Sequence, residues 1–153
     1  ILARFTLFFY AILIPNSRIN IAHNYAAWEN HFGHDVIVHR KGATLARNGT
    51  TGIIPGSQGT ASYIVEGLGN PDSFCSCSHG AGRLMSRTAA IHNLNLNEEV
   101  ARLESLGIVH AIRCQDDMQE ASGAYKDIET VIHNEADLVK VKTRLLPVAV
   151  IKG

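Results

Sequence analysis

Cysteine is scarce in this sequence, with three in 153 residues. An odd count, with Cys75 and Cys77 too close for an easy mutual bridge, argues against a disulfide framework and for a reduced, intracellular setting, expected to be cytoplasmic. Net charge is lacking as well, because fourteen basic residues cancel fourteen acidic ones. Affinity for nucleic acid therefore cannot be inferred from overall charge and would need a local patch, for which Arg40, Lys41, Arg83 and Arg87 are the candidates if folding gathers them. There is no internal repeat and no low-complexity segment. No apolar run reaches the roughly 20 residues that a membrane span needs. The longest, ILARFTLFFYAILI at residues 1–14, has Arg4 as its only charge. It lacks an initiating Met and a small-x-small cleavage site, so a buried strand or helix is the plainer reading, and the chain is expected to begin inside a longer protein.

What is present is a globular composition, 46% hydrophobic and 18% charged, enough for one domain or a piece of a larger one. Pro15-Asn16-Ser17 separates the apolar start from the rest. Residues 22–32 read as a short helix or turn, 36–39 as a β-branched strand, Pro55 to Gly59 as a loop and Ser62 to Glu66 as an alternating strand. A helix is expected over Arg83 to Leu94, which would put Gly80 to Gly82 at a helix N-terminus suited to an anion. A second helix is expected with Asn97 as cap, ending before Gly107, and a third starting at Asp127. Leu138 to Val141 and Val148 to Ile151 read as strands. Without regular βαβ spacing, the fold class is α+β.

The most informative stretch is CSCSHGAGRLMSR, Cys75 to Arg87. It sets His79 beside Gly80-Ala81-Gly82 and two arginines. An imidazole is a usable nitrogen nucleophile at neutral pH, glycines let backbone N–H groups approach phosphate oxygens, and guanidinium groups balance the charge. That combination suits a histidine that attacks phosphorus. The same run offers Cys75, Cys77 and His79 as soft ligands for a structural metal, although no second Cys/His pair stands at zinc-finger distance.

Five blocks occur in one order: IAHNYAAWENHFG, HRKGAT, the run from Ile54 through Arg87, AYKDIETVI, and a terminal VIKG. Together they resemble the C-terminal portion of the RNA-splicing ligase RtcB family, from about Ile19 to Gly153. The resemblance divides the chain into an apolar segment of unclear role (1–17) and an RtcB-like portion (18–153), with mixed strands and helices around a nucleotide and metal cleft. It implies a GTP- and Mn²⁺-dependent RNA ligase that joins ends bearing a 2′,3′-cyclic phosphate or 3′-phosphate to 5′-hydroxyl ends. In this family the histidine of HGAGR carries GMP, which falls on His79. The HN pair binds Mn²⁺ through His23 and brings Asn24 near the nucleotide. The loop Pro55, Gly56, Ser57 and Gln58 lies along the GMP, with Ser62 as a further contact. Methionine is common where Gln58 stands. Tyr125 fits a residue that stacks on the base, and Lys152 resembles the lysine that reaches guanine. The remaining metal ligands of the family, an aspartate, a cysteine and two histidines, lie in an N-terminal portion that residues 1–18 do not supply. The expected partners are thus GTP, an RNA substrate and that missing portion, with no membrane. Alternatives from other classes are a guanine-nucleotide-binding module without catalysis and the Cys/His metal domain.

Overall fold

The computed structural model describes residues 19–22 and 24–151. The apolar run, and the roles expected of His23 and Lys152, lie outside the described residues. The segment read as a helix or turn is instead strand β1, Asn24–His31, paired antiparallel with β2, His34–Lys41. Two features override its helix-like composition. Phe32 and Gly33 both take positive φ, 54° and 79°, the geometry of a tight two-residue hairpin turn. Side chains also alternate, with Tyr25, Ala27, Glu29 and His31 inward and Ala26, Trp28 and Asn30 outward.

Strands β3 (Ala43–Leu45), β4 (Thr51–Ile54), β5 (Ser62–Gly67) and β6 (Ser76–Ser78) follow. The ladder of β3 on β6 is antiparallel and sets Thr44 opposite Cys77. A three-stranded sheet runs β4-β5-β8, where β8 is Val139–Leu145, longer than the strand expected there. Lys140, Lys142 and Arg144 punctuate β8, which discourages pairing along that edge. Helix α1 is Arg87–Asn93, α2 is Leu96–Ser105 and α3 is Ile128–Asn134. Short strands β7 (Val109–His110) and β9 (Ala149–Val150) pair in parallel.

Asp127 caps α3 and α2 stops before Gly107, as expected. Two helix starts differ. Asn95, not Asn97, caps α2, its side chain accepting from the N–H groups of Asn97 and Glu98. Helix α1 begins only after Ser86, because Arg83 and Leu84 are tied to residues 124–125 instead. Arg83 bridges Tyr125, and the Leu84 N–H donates to the Ala124 carbonyl at 2.9 Å. The Gly80 to Gly82 step is consequently not at a helix N-terminus.

Two apolar clusters hold the fold. Ile54, Tyr63, Val65, Cys77, Ala81, Ile128 and Val139 form one, under α3 and the three-stranded sheet. Leu103, Ile108, Ile112, Met118 and Ala121 form the other, around α2. The β1–β2 hairpin is anchored by charge instead. Arg40, 1% exposed, meets Glu29 through two nitrogens at 2.5 and 3.0 Å and reaches Ser76 Oγ and the Phe74 carbonyl.

Candidate active site

The segment Ser78 to Leu84 runs between two loops and is hydrogen-bonded to both. The Ala81 N–H donates to the Pro55 carbonyl at 3.0 Å, and the Lys126 N–H donates to the Gly82 carbonyl at 3.0 Å. The proline-led turn, the HGAGR motif and the AYKD motif, separated by tens of residues in sequence, are therefore one contiguous structure. Gly80 eases this approach, since a Cβ there would lie a tight 3.3 Å from the Pro55 carbonyl oxygen. Gly82 takes φ +74°, which redirects the chain toward Arg83.

His79 is half-buried just beyond the end of β6, with its N–H 3.4 Å from the Gly42 carbonyl. With Pro55, Thr44, Ile53, Ile19, Asn20 and Ile21 it lines a cleft of about 450 Å³, within the range of small-molecule sites. A second cleft, about 540 Å³, includes Ser78, Gly80, Ala81, Gly82, Lys126 and Glu135 in its wall. The glycine step thus shares its surroundings with the AYKD loop, while its histidine belongs to the cleft with Pro55.

The Pro55 to Gly59 loop is braced from within. Ser62 Oγ accepts the Gly56 N–H at 3.2 Å, and Thr60 Oγ1 accepts the Ser57 N–H at 2.7 Å. Ser122, buried and not singled out by the sequence, accepts the Gly59 N–H at 3.1 Å. Both polar atoms of the Gln58 amide are buried without a partner, as is the Thr44 hydroxyl. Buried polar atoms without partners cost about 1–3 kcal/mol each, and a polar ligand would recover that cost. Of these groups only Thr44 lines the His79 cleft, where it stands against the apolar wall of Ile19, Ile21, Ile53 and Pro55, a mixed lining that suits a nucleotide. Gly56 is a sharp test of the loop. A Cβ there would stand 2.1 Å from the Ala61 carbonyl oxygen and 2.5 Å from Thr60 Oγ1, so Gly56→Ala must open the turn. A thermal melt of Gly56→Ala is expected to show a loss of about 1–3 kcal/mol against wild type.

Tyr125 does not line the His79 cleft. Its hydroxyl donates a short hydrogen bond to Glu120, and the Arg83 guanidinium lies 4.8 Å from its ring centroid. Burial raises the Tyr125 pKa, and Glu120 adds to that. Burial would raise Glu120 too, but bonds from Tyr125 and Arg87, with the charge of Arg83, hold it below the usual carboxylate range. Arg83 also donates to the Gln119 carbonyl at 2.5 Å and to the Met85 carbonyl at 3.0 Å. The expected basic patch is not assembled as such. Arg40 is buried on Glu29, and Arg83 and Arg87 both pair with Glu120, while Lys41 is exposed. Asn24 is exposed, its Oδ1 3.4 Å from His39 Nε2.

The Cys75, Cys77, His79 metal reading is not supported. Strand alternation turns Cys77 into the core, where burial pushes its thiol up to about 12, and the three residues do not form a group that could hold a metal ion. Cys75 is half-buried with its thiol directed at the Gly69 carbonyl, and Cys114 is exposed. Among the described residues no group of three or more His, Cys, Asp or Glu could hold a metal ion, so they do not by themselves make a manganese site. Sequence reasoning also missed Glu135, whose carboxylate accepts from the Ser78 N–H at 2.8 Å and the Ser78 hydroxyl at 3.1 Å. No linear signal connects residues 57 apart.

The family profile described as tRNA-splicing ligase RtcB matches residues 8–153, which takes in part of the apolar run. The chain is 47% identical over 138 residues to an RNA-splicing ligase RtcB of Escherichia coli, covering 88% of this chain and 32% of that protein. It is 37% identical over 158 residues to a tRNA-splicing ligase RtcB of Nanoarchaeum equitans, covering 88% and 33%. To an RtcB of Thermococcus kodakarensis it is 37% identical over 156 residues, covering 88% and 32%. The chain spans about a third of the length of these curated relatives. With a family match over nearly all its length and 47% identity to a curated member across 88% of the chain, this chain belongs to the tRNA-splicing ligase RtcB family.

Proposed function

We propose that the whole protein is a GTP- and Mn²⁺-dependent RNA ligase that joins 2′,3′-cyclic phosphate or 3′-phosphate ends to 5′-hydroxyl ends, with His79 carrying GMP. The observation that carries this reading is that His79 and Pro55 line one cleft, in a chain of this family. An imidazole nitrogen of His79 attacks the α-phosphorus of GTP, the bond to pyrophosphate breaks, and pyrophosphate leaves. A 2′,3′-cyclic end is first opened by water to the 3′-phosphate; an oxygen of the 3′-phosphate then attacks the phosphorus of the His79 adduct, and the P–N bond breaks to free the imidazole. Attack by the 5′-hydroxyl on the activated phosphate closes the phosphodiester and releases GMP.

The chain's own residues have separable tasks in this scheme. Pro55, Gly56, Ser57 and Gln58 position the nucleotide, with Ser62 holding Gly56 in place. Gly80, Ala81 and Gly82 keep the backbone close to the phosphates, Tyr125 is assigned to the base as the family pattern implies, and Asn24 and Lys152 act on the nucleotide. Manganese would be held by His23 and by ligands from the other two thirds of the protein. When bound it supplies positive charge beside the phosphates. The 153 residues alone are expected to ligate little or no RNA. Three free cysteines suit a reducing cytoplasmic setting. Among the described residues no helix is long and apolar enough to cross a membrane.

The test is to incubate the whole protein with labelled GTP and Mn²⁺ and map the adduct by mass spectrometry. The expected product is an acid-labile phosphoramidate of GMP on the peptide containing His79. An adduct confined to another residue rejects the assignment.

A further inference from the structure

Thr44 is the residue of this cleft whose chemistry the fold does not use. It is 1% exposed and its hydroxyl has no hydrogen-bond partner, yet it lines the same cleft as His79 and Pro55. In the β3–β6 ladder Thr44 faces Cys77, and one step past the ladder the His79 N–H approaches the Gly42 carbonyl. Positions two apart on a strand share a face, so Thr44 and position 79 are diagonal neighbours, whose Cα atoms are typically about 7–8 Å apart. The other residues lining this cleft are Ile19, Ile21, Ile53 and Pro55, which are apolar, and Asn20.

A purely structural position of this kind would be filled as well by valine, which has the same shape and no hydroxyl to desolvate. The hydroxyl gains its return only from a polar ligand. Next to a histidine that must reach phosphorus, the nearest ligand atoms are phosphate oxygens, acceptors for which an O–H donor is the right complement. We infer that the Thr44 hydroxyl donates a hydrogen bond to a phosphate oxygen of the nucleotide held against His79. This rests on the nucleotide reading given above and adds a binding residue to it.

The experiment compares wild type, Thr44→Val and Thr44→Ser in the whole protein, using GTP, GMP and guanosine as probes in calorimetry, with a thermal melt of each variant. Thr44→Val is expected to melt at or above wild type while binding GTP and GMP about 10- to 100-fold more weakly, the range of a lost hydrogen bond to a charged group. Guanosine, which has no phosphate, is expected to bind both alike, and Thr44→Ser is expected to stay within about threefold of wild type for every probe. Unchanged GMP affinity in Thr44→Val overturns the inference and leaves the nucleotide reading intact. A lower melting temperature with unchanged binding overturns it in favour of a structural hydroxyl. Failure of wild type to bind GTP or GMP at all rejects the nucleotide reading and Thr44's part in it together.

Discussion

Replacing Glu29 with Gln is expected to destabilise this protein by about 3–5 kcal/mol at pH 7, because it strands a buried guanidinium. The Glu29 carboxylate is 3% exposed and the Arg40 side chain 1% exposed, and they meet through two nitrogen–oxygen contacts. His31 Nε2 adds a contact at 2.9 Å and Arg47 a longer one at 3.6 Å. The hydrogen bond from Arg40 outweighs the opposing effect of burial and, with His31 and the charges of Arg40 and Arg47, lowers the Glu29 carboxyl to about 2. A depressed carboxylate contributes stability that is fully present above its unfolded value and lost as pH falls through its folded value. The contribution is on the order of 3 kcal/mol and should fade from about pH 4.5 down to about pH 2. Urea unfolding followed by circular dichroism, run at several pH values, checks both statements. The gap between wild type and Glu29→Gln should be widest near neutrality and shrink toward pH 2. A gap below about 1 kcal/mol at pH 7, or one undiminished at pH 2.5, contradicts the account. Because Arg40 also holds Ser76 and the Phe74 carbonyl, the hairpin and the approach to β6 should loosen together in the variant.

His79→Ala should abolish covalent GMP attachment, to below about one thousandth of wild type, while leaving the fold intact. The side chain is half-buried on a bend, and the residue's backbone N–H bond to Gly42 survives the substitution. Reversible binding should persist, because the Pro55 loop and Thr44 are untouched. The combination is diagnostic. A nucleotide-binding module without catalysis would form no adduct even as wild type, and a histidine with only a structural role would leave adduct formation near its original rate. The measurement is single-turnover labelling with GTP and Mn²⁺ alongside calorimetry with GMP. An adduct that survives in His79→Ala rejects His79 as the nucleophile.

Much of the site was legible because its chemistry is written in short, contiguous strings. SHGAGR states a nucleophile, a flexible backbone and a cation within six residues, and PGSQG states a tight loop. Their adjacency in the structure required only that they fold against each other, which Ala81 and Pro55 do through one backbone bond. The α+β class and the caps at Asp127 and before Gly107 were likewise set by local propensity. The residues missed are those whose role is defined across long separations. Ser122 braces Gly59, Glu135 holds Ser78, and Thr44 reaches the cleft only through pairing with β6.

The sequence alone determined the family, the nucleophile candidate and the loop that accompanies it, since residue identity and short spacing carry that information directly. Tertiary structure decided which charges are available. Arg40 reads as a surface cation until a hairpin folds it onto Glu29, and Arg83 and Arg87 read as phosphate contacts until Glu120 takes them. Tertiary structure also decided that residues 24–31 form a strand, because cross-strand pairing and a positive-φ turn outweigh intrinsic helix preference. Burial and partnership are properties of neighbours in space, and a linear pattern records neighbours only along the chain.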